Sequence, residues 1–269
     1  VQPEREPAFN APQIVLWTLA ALVVVHVARL FLTEDQDLAL LLRFAFIPGR
    51  YDPNFPYADE LLGGAGAKVW TFVTYAFLHG NFTHLIVNGI SLLAFGSALA
   101  WRFGAWRFVV FSVLTAAAGA ATHLAIHWGT AIPVVGASAA ISGHMAGAAR
   151  FIFETGGPLG VFRARGRQAF LAPAEPLTTT LRRPQALAFF LVWFGVNALF
   201  GLGQMAIGIG DATVAWEAHI GGFVAGLVLF ALLDPVKRPV RPSSQETFDV
   251  LPPGGEPPHD GETGAAGRP

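Results

Sequence analysis

The sequence predicts an all-α, polytopic membrane protein, and three observations carry that expectation. Hydrophobic residues make up 53% of the 269-residue chain and charged residues only 13%, whereas a soluble domain carries about 25% charge. Mean hydropathy is +0.50. The apolar residues gather into six stretches, each near the ~20 residues that cross hydrocarbon. In lipid every backbone N–H and C=O must be satisfied within the protein, so stretches of this length are expected to be helices.

The first span is expected from Ile14 to Leu32 and the second from Phe82 to Ala100, the latter preceded by a semi-apolar run from Val69. The third runs from Phe108 to Ile126, the fourth from Ser138 to Phe153, the fifth from Ala186 to Met205 and the sixth from Val214 to Leu233. Arg102 and Arg107 follow span two, Arg163, Arg165, Arg167, Arg182 and Arg183 follow span four, and Lys237, Arg238 and Arg241 follow span six. The other side holds Arg43, Arg50 and Lys68, offset by Asp52, Asp59 and Glu60. The positive-inside rule then puts both termini in the cytoplasm. Residues 1–13 read as a cytoplasmic tail, 14–234 as the membrane domain, and the Pro- and Gly-rich 235–269 as a disordered cytoplasmic tail. The segment from Thr33 to Lys68 reads as a long external loop rich in Pro and Gly. A multi-pass protein of a bacterial inner (plasma) membrane is the expected setting, with the lipid bilayer as its first partner.

Several classes drop out. A net charge of −1 without a basic block gives no pull toward nucleic acid. The absence of cysteine excludes disulfides and thiolate catalysis, and the N-terminus has no basic region of a cleavable signal. No internal repeat supports an inverted-repeat transporter, and no His-Glu-x-x-His supports a metalloprotease. Gly208-Ile209-Gly210-Asp211 with Tyr51-Asp52 imitates an aspartyl intramembrane protease, but Asp52 sits in a polar, proline-bearing loop. His123 and His127 have metal-ligand spacing with no third ligand near them in sequence, so packing is their expected use. No metal or cofactor is expected.

Polar residues at membrane depth are functional candidates. His84 and Asn88, at i and i+4, share a helix face and could donate to an oxyanion; cross-helix hydrogen bonding is the plainer use of such a pair. His79 lies before that helix, with a structural bond as its expected role. Gly136-Ala137-Ser138 opens span four, where first-turn amides lack internal partners and the glycine leaves room for another backbone. The alternative is a serine bonded back to its own helix. A nucleophile elbow is excluded, because Ala140 occupies its last glycine position. In span six His219, Gly222 and Gly226 share a face, and Gly143 and Gly147 do likewise in span four. Such small-residue faces let helices approach closely, as a serine nucleophile and its histidine base require.

These motifs, in this order, resemble the rhomboid family of intramembrane serine proteases over about Val69 to Leu233. The stretch Phe77-Leu78-His79-Gly80-Asn81-Phe82-Thr83-His84-Leu85 is the closest local match. The resemblance implies a six-helix bundle that cleaves single-span transmembrane proteins. Ser138 would be the nucleophile and His219 its general base, without a carboxylate. His84, Asn88 and the Ser138 amide would form the oxyanion hole, with His79, Gly136 and Gly222 as supporting motif residues. The segment 206–213 would cap the site, and span five would move to admit substrate. The chain departs from the family pattern at Ala139, where glycine is common, at Ser142, where an aromatic often packs on the histidine, and at Ala100, where glutamate is common; a Trp-Arg pair in the first external loop is also missing. An inactive relative that holds membrane clients is the rival reading.

Overall fold

The computed structural model describes residues 11–58, 61–164, 166–202 and 214–237. Helix α1 (Gln13–Arg29) is followed by α2 (Glu34–Phe44) and a 3-10 turn at Pro48–Tyr51. Next come α3 (Gly64–Thr74) and α4 (Phe82–Ser91), which passes through a π turn at Leu92–Gly96 into α5 (Ser97–Ile126). Then follow α6 (Ser138–Ala149), the short α7 (Leu177–Thr180), α8 (Pro184–Leu202) and α9 (Trp216–Leu233). Among the described residues there is no strand beyond one isolated bridge, Phe46 to Val134.

A helix occupies each of the six apolar stretches. Spans two and three form one helical run broken at Gly104, whose φ of 75° and ψ of 167° turn the chain. By length and composition, two helical runs among the described residues can cross a membrane, Phe82–Ile126 and Trp216–Leu233. Gln13–Arg29 and Pro184–Leu199 are shorter apolar helices. Span four is shorter than its apolar run implied, since α6 stops at Ala149 and turns carry the chain through Phe153. The N-terminal tail, the Gly208-Ile209-Gly210-Asp211 motif, the capping segment 206–213 and most of the C-terminal tail lie outside the described residues.

The expected external loop contains a helix. Thr33 accepts from the Gln36 amide while the Gln36 side chain accepts from the Thr33 amide, a capping box that starts α2. Trp70 and Thr74 of α3 donate to the carbonyls of Arg43 and Phe44. Buried Arg50 donates to the carbonyls of Leu62 and Leu42, so this segment is strapped down by polar bonds to its own backbone.

The centre is α6, in which ten of twelve residues are buried, and α5 and α9 pack against it. Glycines set the separation. A Cβ on Gly222 would lie 2.0 Å from the Ala139 carbonyl oxygen, and one on Gly226 would lie 2.5 Å from the Gly143 carbonyl oxygen. The backbones of α6 and α9 therefore touch. Gly143 also faces α5, where a Cβ would strike Thr115 at 2.5 Å. At the far end Arg102, counted above as a loop charge, is buried. Its Nε and a terminal nitrogen each donate to Asp234 at 2.8 Å, and it also donates to the carbonyls of Phe170 and Ala172. The periphery is apolar: Trp106, Val192 and Leu232 are 77%, 67% and 76% exposed. Such a surface suits lipid rather than water.

Candidate active site

Ser138 is the first residue of α6, and His219 lies one turn into α9. The glycine contacts bring the two helix starts together, and Ser138 Oγ lies 2.7 Å from His219 Nε2. The other imidazole nitrogen, Nδ1, is 2.7 Å from Oδ1 of Asn197 on α8. Asn197 Nδ2 donates to the Trp193 carbonyl at 2.8 Å, so Oδ1 is turned to His219 and can only accept. His219 Nδ1 therefore carries the proton, and Nε2 is left with a lone pair for the Ser138 hydroxyl. Asn197 is a site residue that sequence reasoning missed. An asparagine in an apolar span is a signal, but its partner is 22 residues away on another helix.

A second Ser–His pair behaves differently. Ser112 Oγ is 2.8 Å from His144 Nε2, yet Ser112 also donates to the Phe108 carbonyl at 2.7 Å. With its single proton committed, Ser112 can only accept from His144, and the histidine cannot act as its base. His144 is stacked on Phe108 and Phe111. This pair lines an apolar cavity of about 300 Å³ between α1, α3, α5 and α6, in which neither Ser138 nor His219 takes part.

The loop entering α6 is held in place. Phe46 and Val134 exchange backbone bonds, and the Gly136 amide donates to the Tyr75 carbonyl at 3.0 Å. Gly136 has φ +119°, and a Cβ there would come within 2.6 Å of the His84 ring and 3.7 Å of Ser138 Oγ. The bare glycine thus accepts a backbone conformation that side chains resist and lets the His84 imidazole approach the serine. Asn81 caps α4 by accepting from the His84 amide. Asn88 is buried, and its Nδ2 donates to the His84 carbonyl at 3.0 Å, leaving one N–H for another acceptor. His79 is fully buried with its ring edge-on to His84, and its carbonyl accepts from Arg29 at 2.8 Å. Arg29 in turn pairs with Asp37 at 2.6 and 2.9 Å. Asp37 lies beyond the first span, and the Arg29 guanidinium beside it holds that carboxyl below its ordinary range. Glu217, two residues before His219, turns instead to His127 at 2.9 Å.

A family model described as the Rhomboid domain matches residues 66–235, well over half of the chain. The chain belongs to the rhomboid family. No curated protein matches it. Rhomboid domains are membrane-embedded and in general are those of intramembrane serine proteases. The matched region starts in α3 and ends after α9, so it contains Ser138, His219, His84, Asn88 and Asn197. This rhomboid accommodates Ala139 through Gly119 of α5, where a Cβ would meet the Ala139 methyl at 2.6 Å. The methyl on α6 occupies space that a bare α5 backbone leaves open. Ser142 is buried in α6, and the second nitrogen of His219 is held by Asn197.

Proposed function

We propose that this rhomboid is a serine endopeptidase that hydrolyses peptide bonds in or near the transmembrane segments of membrane proteins. The observation that carries the reading is the 2.7 Å contact between Ser138 Oγ and a His219 Nε2 left as an acceptor by the bond from Nδ1 to Asn197. His219 takes the hydroxyl proton as Ser138 Oγ attacks the scissile carbonyl carbon. His84, Asn88 and the Ser138 amide donate to the resulting oxyanion, each donor lowering the barrier by about 3–4 kcal/mol by analogy with soluble proteases. His219 then gives its proton to the leaving amine as the C–N bond breaks. Water, deprotonated by the same imidazole, attacks the acyl-Ser138 ester; the C–Oγ bond breaks, His219 returns the proton to Ser138 Oγ, and the new carboxyl terminus is released.

The setting supports this role. Helix α6 has 12 residues and is about 18 Å long at 1.5 Å per residue, short of the ~30 Å hydrocarbon core. A helix that ends at one face of the layer therefore begins inside it, where a serine can meet a membrane-embedded bond. We read the fold as six crossings over residues 14–234, flanked by cytoplasmic tails 1–13 and 235–269. The substrates are read as single-span proteins, and neither metal nor cofactor takes part in the chemistry.

The test is cleavage of a transmembrane reporter by purified protein in liposomes. Both Ser138→Ala and His219→Ala are expected to abolish cutting, and a fluorophosphonate should label wild type but not Ser138→Ala. A folded wild type that neither cuts nor labels would favour the inactive, client-holding relative. Cleavage that survives Ser138→Ala and stops with a chelator would refute the assignment.

A further inference from the structure

The fold supplies His123 and His127 with the third group that the sequence around them lacks. His123 and His127 are one turn apart at the end of α5, and Glu217 lies in the first turn of α9. One ligand atom from each lies within 4.8 Å of the others. Glu217 Oε1 is 2.9 Å from His127 Nε2, and its other oxygen is 3.8 Å from His123 Nδ1. The His123 side chain is 8% exposed, and its Nδ1, aimed at the carboxylate, makes no hydrogen bond. A buried imidazole nitrogen facing a carboxylate oxygen at a separation too long for a hydrogen bond is an incomplete arrangement. Tetrahedral zinc holds N and O ligands at about 2.0–2.2 Å, which places ligand atoms about 3.3 Å from one another. The two carboxylate separations, 2.9 and 3.8 Å, bracket that spacing and all three ligand atoms lie within 4.8 Å, so side-chain rotations would close the cage.

We propose that His123, His127 and Glu217 form a binding site for a divalent transition-metal ion of the zinc class, joining the end of α5 to the start of α9. Two imidazoles and one carboxylate are the donors that such ions take, and His127, whose side chain is 37% exposed, gives the ion a path in. Glu217 stands two residues before His219, about 3 Å of rise along the same helix. The ion would therefore clamp the turn of α9 from which His219 projects. The site does not depend on the proteolytic reading, since its ligands include neither Ser138 nor His219.

The test is binding of ZnCl2 to the tag-free full-length protein in detergent micelles, measured by competition with a chromogenic chelator. CoCl2 in a parallel sample reports coordination through its visible ligand-field absorption. Wild type should bind one zinc per chain, show the cobalt bands of a four-coordinate site, and gain thermal stability with added zinc. H127Q and E217Q should each weaken binding by about 100-fold or more, beyond the effect of losing an outer-shell partner, and should lose the cobalt bands. The zinc-dependent rise in melting temperature should vanish with them, although both variants melt cooperatively without metal. Absence of saturable binding to wild type overturns the proposal. So does binding that persists unchanged in the H123Q/H127Q double variant, because the ion would then sit elsewhere.

Discussion

Asn197→Ala is the substitution that most directly probes how His219 is prepared. In the resting state the 2.7 Å bond from Nδ1 to Asn197 Oδ1 joins neutral groups, worth about 0.5–1.5 kcal/mol. Once His219 has taken the serine proton, the ring is an imidazolium and the same contact becomes charge-assisted, worth about 1.5–3 kcal/mol. Truncation removes the bond in both states, so the barrier rises by the difference, about 1–1.5 kcal/mol, and kcat should fall about 5- to 13-fold. The loss should stay well short of the ~10⁴ seen when a triad histidine is forced into the wrong tautomer, because alanine imposes no tautomer. Cleavage of a transmembrane reporter in liposomes gives kcat and KM separately, and the rate of fluorophosphonate labelling reports serine activation without substrate docking. KM should change little, and Asn197→Asp, which restores an acceptor, should recover most of kcat. A folded Asn197→Ala protein with kcat within about two-fold of wild type, or a loss confined to KM, would refute the argument. An aspartate variant no better than the alanine variant would refute it equally.

Three further outcomes follow from the packing and charge pattern. Gly222→Ala places a methyl 2.0 Å from a backbone oxygen that cannot yield, so α9 must move off α6 and activity should fall by about 100-fold, the usual cost of a misplacement near 1 Å; Gly195→Ala on α8, with open space around it, should have little effect in the same assay. Arg102→Met leaves Asp234 and two carbonyls without their donor, and thermal denaturation in micelles should show a loss of about 3–5 kcal/mol, partly restored by adding Asp234→Leu. Asp37→Asn removes a carboxylate whose pKa is lowered by Arg29; the stability it contributes is complete above its unfolded value of about 4 and is lost as pH falls through the lower folded value. The melting difference between wild type and Asp37→Asn should therefore be constant at neutral pH and close on the acid side, and a difference that does not shrink as pH falls would contradict this assignment.

Hydropathy placed a helix in each of the six apolar stretches because apolar length is a property of one segment alone. The features it missed are relations between segments or polar signals inside loops. Helix α2 is absent from a hydropathy reading, yet Thr33-x-x-Gln36 announces its start. Arg102 reads as a solvated loop charge until the fold brings Asp234, 132 residues later, to its guanidinium. Ser138, His84 and His219 could be picked out because each lies in a short motif with glycine or asparagine beside it. Asn197 acquires its meaning only from a partner on another helix, and Glu217, which the helix turns away from His219, is delivered by that same turn to His127.

Of the helices packed on α9, α6 and α8 hold it in different ways, and the difference bears on His219. Against α6 the contact is backbone on backbone through Gly222 and Gly226, which fixes the height and distance of His219 relative to Ser138 and leaves no room for sliding. Against α8 the contact is made by side chains: Phe190, Trp193 and Phe194 surround Phe223, with ring centroids 5.4, 4.1 and 5.5 Å away, and Asn197 reaches Nδ1. Aromatic faces can part without breaking backbone hydrogen bonds, but a hydrogen bond of 2.7 Å is lost after about 1 Å of displacement. Rigid packing on α6 therefore places the imidazole, while the more separable packing on α8 chooses its tautomer. On the proteolytic reading, Ser138 is fully activated only while α8 stays docked, and a substrate that displaces α8 must let it return before the serine attacks.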